Sequence, residues 1–300
     1  MIDIIGKKWW FLIFSGIVII PGIISLILWG VAPSIDFTGG TLLEFKFKSE
    51  KAIEVKRFSE IADKQGLQLV TVSPVGDNTY LFRLKPIDKD QKAEFQKSLS
   101  KEIAPVSEIR YETVGPTIGR ETTRNAIYAV IVASIAIIIY IALSFRAIPK
   151  PYSSWKFGFS AVAALIHDVL LVLGIFSILG HFFKVEIDSL FITALLTVMG
   201  FSVHDSIVVF DRIRENLIHK AGEGFSQIVN FSLVQTLARS LSTSLTVLFT
   251  LFALLLFSGE SVRWFIVALL VGITSGTYSS IFNAAPILVI WEEWSRKRKK

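Results

Sequence analysis

Six stretches of roughly 20 or more apolar residues run through the chain, near 9–31, 124–145, 157–180, 188–211, 237–258 and 262–291. A run of that length crosses the ~30 Å hydrocarbon core of a bilayer as a helix. Inside hydrocarbon the backbone must satisfy its own hydrogen bonds, so an apolar run can only be helical there. The expected fold class is therefore a polytopic α-helical membrane protein with six transmembrane helices. Composition points the same way: 52% of residues are hydrophobic, and 24 Phe with 7 Trp suit lipid-facing and interfacial positions. The chain has no cysteine, which excludes disulfide frameworks, thiolate metal sites and cysteine nucleophiles. The first run follows Lys7 and Lys8, is too long for a signal-peptide core, and precedes no small-x-small cleavage site. It reads as an uncleaved anchor.

Short loops set the orientation. One side carries Lys7, Lys8, Arg146, Lys150, Lys156, Arg212, Arg214, Lys220 and the tail from Arg296 to Lys300; the other carries only Lys184 and Arg263. Both termini are thus expected in the cytoplasm, with 34–123 outside. The basic tail, 296–300, could bind RNA, but a topology anchor beside anionic lipid explains it better, and no nucleic-acid partner is expected. The net charge of +6 has the same explanation.

The segment 34–123 is polar and patterned like a soluble domain. Residues 41–48 alternate, with Leu43, Phe45 and Phe47 on one face, which predicts a strand. Val55, Phe58 and Ile61 fall at helical spacing. Residues 67–72 and 79–85 read as strands paired through Gly76, Asp77 and Asn78. Phe95, Leu99 and Ile103 stripe a second helix, and 106–114 alternates again. The order β-α-β-β-α-β is that of a ferredoxin-like domain. It contains no histidine, and its acids scatter over faces expected to be exposed. A binding or mechanical role fits it better than catalysis. The expected organisation is 1–33 for the N-terminal end and first helix, 34–123 for the external domain, 124–295 for helices two to six, and 296–300 for the tail.

Asp205 is the only acid in the apolar run 191–210, FITALLTVMGFSVHDSIVVF. A carboxylate at membrane depth costs on the order of 3 kcal/mol on insertion scales and normally faces a protein interior or a water path. Arg239 opens the fifth run at comparable depth, so the two could meet or share a water-filled cleft. Arg239, Thr243, Thr246 and Thr250 recur at spacings of four, three and four, one face of a helix. Such hydroxyls either hold a water file or act as helix-packing glue. His167 and Asp168 lie near the middle of the third run, so His-Asp occurs twice, with His204 and Asp205. A metal site lacks HExxH-type spacing; a proton relay and a structural network are the two other readings. Gly272 and Gly276, continued by Ser279 and Asn283, predict close helix contact.

These residues also carry a family likeness. GFSVHDSIVVFDRIREN, 200–216, resembles the fourth-helix motif of SecF-type subunits of the bacterial protein translocase, in the SecD/SecF family. SIDFTGGT at 34–41, VGPTIG at 114–119, HDV at 167–169 and QTLARSLSTSLT at 235–246 match it in order, so the likeness spans nearly the whole chain. Ser34 stands where the family has Gly, Phe201 where Tyr is common, and His204 where Asn is usual; His204 adds a titratable group beside the key acid.

The resemblance implies a half-unit of the resistance-nodulation-division superfamily in the bacterial inner membrane. Its implied partners are SecD, the SecYEG channel, the SecA motor and an unfolded preprotein held by 34–123. It implies use of the proton motive force, with Asp205 as the ion-pathway acid and Arg239 its basic partner. Asp205, Arg239, His204, Asp168, His167, Thr243 and Thr246 are the candidate pathway residues. Neither a cofactor nor a metal is called for. Other classes are a half-unit of a small-molecule or lipid exporter, an intramembrane hydrolase, for which no nucleophile is evident, and a non-catalytic membrane scaffold.

Overall fold

The computed structural model describes residues 2–49, 53–146, 148–149, 151–220 and 222–298, so Lys150, Lys299 and Lys300 of the basic clusters lie outside the described residues. After a single 3-10 turn at Ile5–Lys7 come α1 (Lys8–Trp29), α2 (Ile35–Thr38), β1 (Gly40–Phe47), α3 (Val55–Lys64), β2 (Leu69–Gly76), β3 (Thr79–Leu84), α4 (Lys89–Glu102) and β4 (Val106–Val114). Then follow α5 (Pro116–Ser144), α6 (Ser154–Phe183), α7 (Ser189–His219), α8 (Phe225–Phe257), α9 (Glu260–Ser279), a π-helical segment Ser280–Ala284, and α10 (Ala285–Lys297). Among the described residues six helices are long and apolar enough to span a membrane, the last being the continuous run from α9 to α10. Several outrun the apolar stretches that mark them. α5 begins at Pro116, where a missing N–H costs nothing in a first turn; α7 continues to His219 and α8 starts at Phe225. Hydropathy marks the part of a helix inside lipid, while the helix itself runs on through polar residues.

The chain divides into two compact units, Met1–Ala32 with Tyr128–Lys300, and Pro33–Ile127. The smaller unit is a four-stranded antiparallel sheet in the order β2-β3-β1-β4, with the βαββαβ order the sequence predicts. Leu43, Phe45 and Phe47 of β1 are buried as their alternation requires, packed with Phe58 and Ile61 of α3, Phe82 of β3, and Phe95 and Leu99 of α4. Val55 departs from its expected stripe and is 43% exposed, because it sits in the first turn of α3. The β2–β3 turn places Asn78 at φ 53, a left-handed conformation Asn tolerates. α4 is fixed by a capping box between Asp88 and Gln91.

The short helix α2 has no counterpart in the periodicity. Ser34 caps it through its hydroxyl, which accepts from the backbone N–H of Asp36, a bond that Gly could not supply. Within the same unit, Gly39 at φ +70 lies against Pro116 and Gly119. A Cβ on Gly119 would fall 2.7 Å from the Gly39 nitrogen, so the first and second sequence motifs of the unit require glycine to touch.

In the membrane unit α1 and α6 pack with one constant sequence offset. Ser15 pairs with His167 and Ser25 with Ser177, each 152 residues apart. Gly22 and Gly174 share that offset, and a Cβ on Gly174 would stand 2.6 Å from the Gly22 Cα. A constant offset means parallel helices in register, brought together by small residues. Gly272 and Gly276 of α9 do the same against Val198 and Ser202 of α7, as expected of that pattern. At the basic end an apolar core gathers Ile4, Ile5, Phe145, Phe157, Phe210, Phe225 and Leu288. α5 joins that core through Ile141, with Phe145 just past its end; Ile131, Val132, Ile135 and Leu143 are exposed.

Candidate functional site

Asp168 is a buried hub. Residues of α6, α7 and α9 converge on its carboxylate: Ser202 and Ser279 donate to Oδ2 and Ser275 to Oδ1, each at 2.6 Å. His167 Nδ1 lies 3.1 Å from Oδ1. Behind His167, Nε2 is 2.5 Å from Ser15 Oγ of α1, and Asn283 Nδ2 of the π segment donates to that same oxygen at 2.9 Å. With a proton on His167 Nδ1 the chain is self-consistent: Asn283 donates to Ser15, Ser15 to His167, and His167 to Asp168. Four donors on one carboxylate, with no exposure, fit the structural network better than the relay.

Asp205 is 2% exposed and differently served. Its single hydrogen-bond partner among the described residues is Ser244 Oγ of α8, 3.5 Å from Oδ2, and that hydroxyl is also 2.9 Å from the Ser240 carbonyl. At 3.5 Å such a contact is at the edge of hydrogen bonding. Thr277 of α9 donates to Ser244 Oγ at 2.6 Å, so α7, α8 and α9 meet here. Two buried hydroxyls on the same helices, Ser206 and Ser240, have no partner among the described residues. Asp205 is thus a carboxylate in a serine-lined, sparsely bonded place.

Arg239 does not meet Asp205. It is exposed, and among the described residues no ion pair joins the two. The reason is angular. Ser244 is the α8 residue that faces Asp205, and a residue five positions earlier lies about 140° around the helix. Thr243, Thr246 and Thr250 share the exposed side, each hydroxyl bonded back to a carbonyl of its own helix, at 3.0, 2.7 and 3.0 Å. His204 is exposed as well. The candidates therefore form three groups: His167 with Asp168, Asp205 with a serine cluster, and an outward set of His204, Arg239, Thr243 and Thr246.

Sequence reasoning missed Ser15, Ser202, Ser240, Ser244, Ser275 and Thr277. Ser240 and Ser244 carry the same four-residue spacing as Arg239 and Thr243, so the signal was present without anything to say which stripe faces inward. Among the described residues no group of three His, Asp or Glu side chains is placed to hold a metal ion.

Comparison with known proteins adds an independent line. Residues 94–294 match the family model described as the protein export membrane protein SecD/SecF, C-terminal. The chain is 45% identical to the protein translocase subunit SecF of Thermobaculum terrenum, covering 97% of this chain and 94% of that protein. It is 34% identical to the protein translocase subunit SecDF of Bacillus subtilis, covering 99% of this chain and 39% of that one. The crystal structure of SecDF, a translocon-associated membrane protein from Thermus thermophilus, superposes with a TM-score of 0.82 at 34% identity, over 97% of this chain. This chain spans 39% of that solved chain. A match across two thirds of the sequence, near-full-length identity and a shared architecture agree, and the chain belongs to the SecF branch of the SecD/SecF family.

Proposed function

We propose that this chain is the SecF half of a Sec protein-export unit, completed by a SecD half, in which ion movement past Asp205 drives the external domain that holds an unfolded preprotein. The fused SecDF relatives, in which this chain matches 39% of a longer protein, support a SecD partner. On this reading both termini are cytoplasmic and Pro33–Ile127 lies outside, the arrangement that the basic clusters favour. The SecYEG channel and SecA motor are the further partners, by family resemblance.

The observation that carries the reading is the environment of Asp205: a buried carboxylate in a membrane helix with one hydroxyl at 3.5 Å and unpartnered serines on the same helices. Such a group gains and loses a positive ion at small structural cost, whereas Asp168 with four donors does not. Moving one elementary charge across 100 mV supplies about 2.3 kcal/mol. That is enough to bias two packings separated by a few kcal/mol. The outward set completes the picture. Arg239 and His204 at membrane depth would be costly against lipid, so the SecD half covers them.

The test is preprotein export into energised membrane vesicles. Asp205→Asn should insert normally and lose the gradient-dependent part of export, leaving the gradient-independent part in place. Wild-type stimulation by the gradient in that variant would remove Asp205 from the path. A passive scaffold would show no gradient dependence in either protein.

A further inference from the structure

One open cleft in the membrane unit has walls whose polar groups are already spent inside the protein, and that decides what can enter it. The cleft, about 440 Å³, lies between α1, α6 and α9, with Ser15, His167, Leu171, Val271, Thr274 and Tyr278 among its walls. Ser15 and His167 hydrogen-bond each other, and His167 turns its other nitrogen to Asp168. The Tyr278 hydroxyl donates to the Phe11 carbonyl at 2.8 Å, Thr274 to Leu270 at 2.7 Å, and Ser275 to Asp168 at 2.6 Å. An occupant would find no free donor and would meet mostly CH groups.

We propose that the cleft holds one hydrocarbon chain of an anionic membrane lipid, drawn from the leaflet at the basic end of the bundle. The six spans put Ser15, His167 and Thr274 at the middle of their helices, so the medium at the cleft mouth is hydrocarbon rather than water. The volume falls in the range of ligand pockets and is too small for a whole two-chain lipid. Charge selects the headgroup. Lys8 lies seven residues before Ser15 on α1, about 10 Å along the axis, and Lys156 occupies the same end of α6. Both are paired to glutamates of α10, while the neighbouring exposed Lys7 has no carboxylate partner among the described residues. A phosphate at Lys7 with its chain running up α1 reaches the cleft. The seated chain lies against Ser15 and His167 and keeps water off the Asp168 hub.

The test uses the chain purified with its SecD companion in vesicles of phosphatidylglycerol carrying a photoactivatable diazirine at mid-chain. Adducts should concentrate on the cleft residues of α1, α6 and α9 rather than spread over the exposed face of α5. Thr274→Trp at the exposed rim should lower cleft adducts about tenfold, the loss expected from excluding two methylenes, and leave α5 adducts unchanged. Thr274 bonds only its own helix, so the substitution keeps the fold; Val271→Phe provides a second blocking variant from deeper in the wall. Adducts spread evenly over all apolar faces would show bulk lipid only and overturn the proposal. Cleft adducts that appear without the companion and vanish with it would show that protein fills the cleft, which also overturns it. Equal yield from a phosphatidylcholine probe would overturn the anionic headgroup.

Discussion

Asp168 accepts hydrogen bonds from three serines at 2.6 Å and a histidine at 3.1 Å, whereas Asp205 is approached by one serine at 3.5 Å. The two acids should therefore fail differently. Asp168→Leu leaves three serine hydroxyls and the His167 N–H without an acceptor in a dry interior, a cost of about 3 kcal/mol or more. It should lower the melting temperature in detergent and the amount of folded protein. Adding Ser202→Ala and Ser275→Ala should restore part of that loss, because the orphaned donors go with the acceptor. Asp205→Asn should leave the melting temperature nearly unchanged. An Asp168→Leu protein as stable as the wild type would mean that the hub holds nothing together. His204 is exposed beside Asp205. His204→Asn removes the imidazole beside Asp205 and should alter the pH profile of gradient-driven export; an unchanged profile would make His204 a plain polar filler.

At the scale of elements, α1 is no mere anchor. Its parallel pairing with α6 needs glycine at both Gly22 and Gly174, since a Cβ on Gly174 would stand 2.6 Å from the opposing Cα. Gly174→Leu should force the helices apart, breaking the bonds at Ser15–His167 and Ser25–Ser177 together. Disulfide trapping reads this directly in a chain free of native cysteine: the Ser25→Cys, Ser177→Cys pair should cross-link efficiently and lose most of that yield when Gly174→Leu is added. An undiminished yield would mean that the helices approach without the glycine contact.

The strands and the two domain helices were legible because Leu43, Phe45 and Phe47, or Phe95 and Leu99, stand out against polar neighbours. Inside the bilayer that contrast disappears. Every face of α8 is apolar enough to span, so Arg239 with Thr243 and Ser240 with Ser244 look alike as stripes, and only packing shows that the serines face in. α1 hid its role for the same reason: Ser15, Gly22 and Ser25 are unremarkable inside an apolar run until the partner helix is in place.

The whole molecule carries surface that suits neither lipid nor water. α8 presents Arg239, Thr243 and Thr246 outward, and α7 presents His204, all within helices long enough to span a membrane. Arg in a membrane helix costs up to about 3 kcal/mol on insertion scales, so a chain standing alone would be burdened by this face. The α5 face, with Ile131, Val132 and Ile135, is purely apolar and suits lipid as it is. A protein surface should therefore cover the α8 stripe and leave α5 bare. Single-cysteine variants carrying a benzophenone separate the two faces. From Thr246→Cys the probe should cross-link to the companion half when both are co-expressed, and from Ile135→Cys mainly to lipid. Because the Thr246 hydroxyl bonds only its own helix, Thr246→Cys breaks no inter-helix hydrogen bond within the chain. Cross-links from position 246 to lipid alone would leave Arg239 facing hydrocarbon, and the ion path would then have to close within this chain's own six helices.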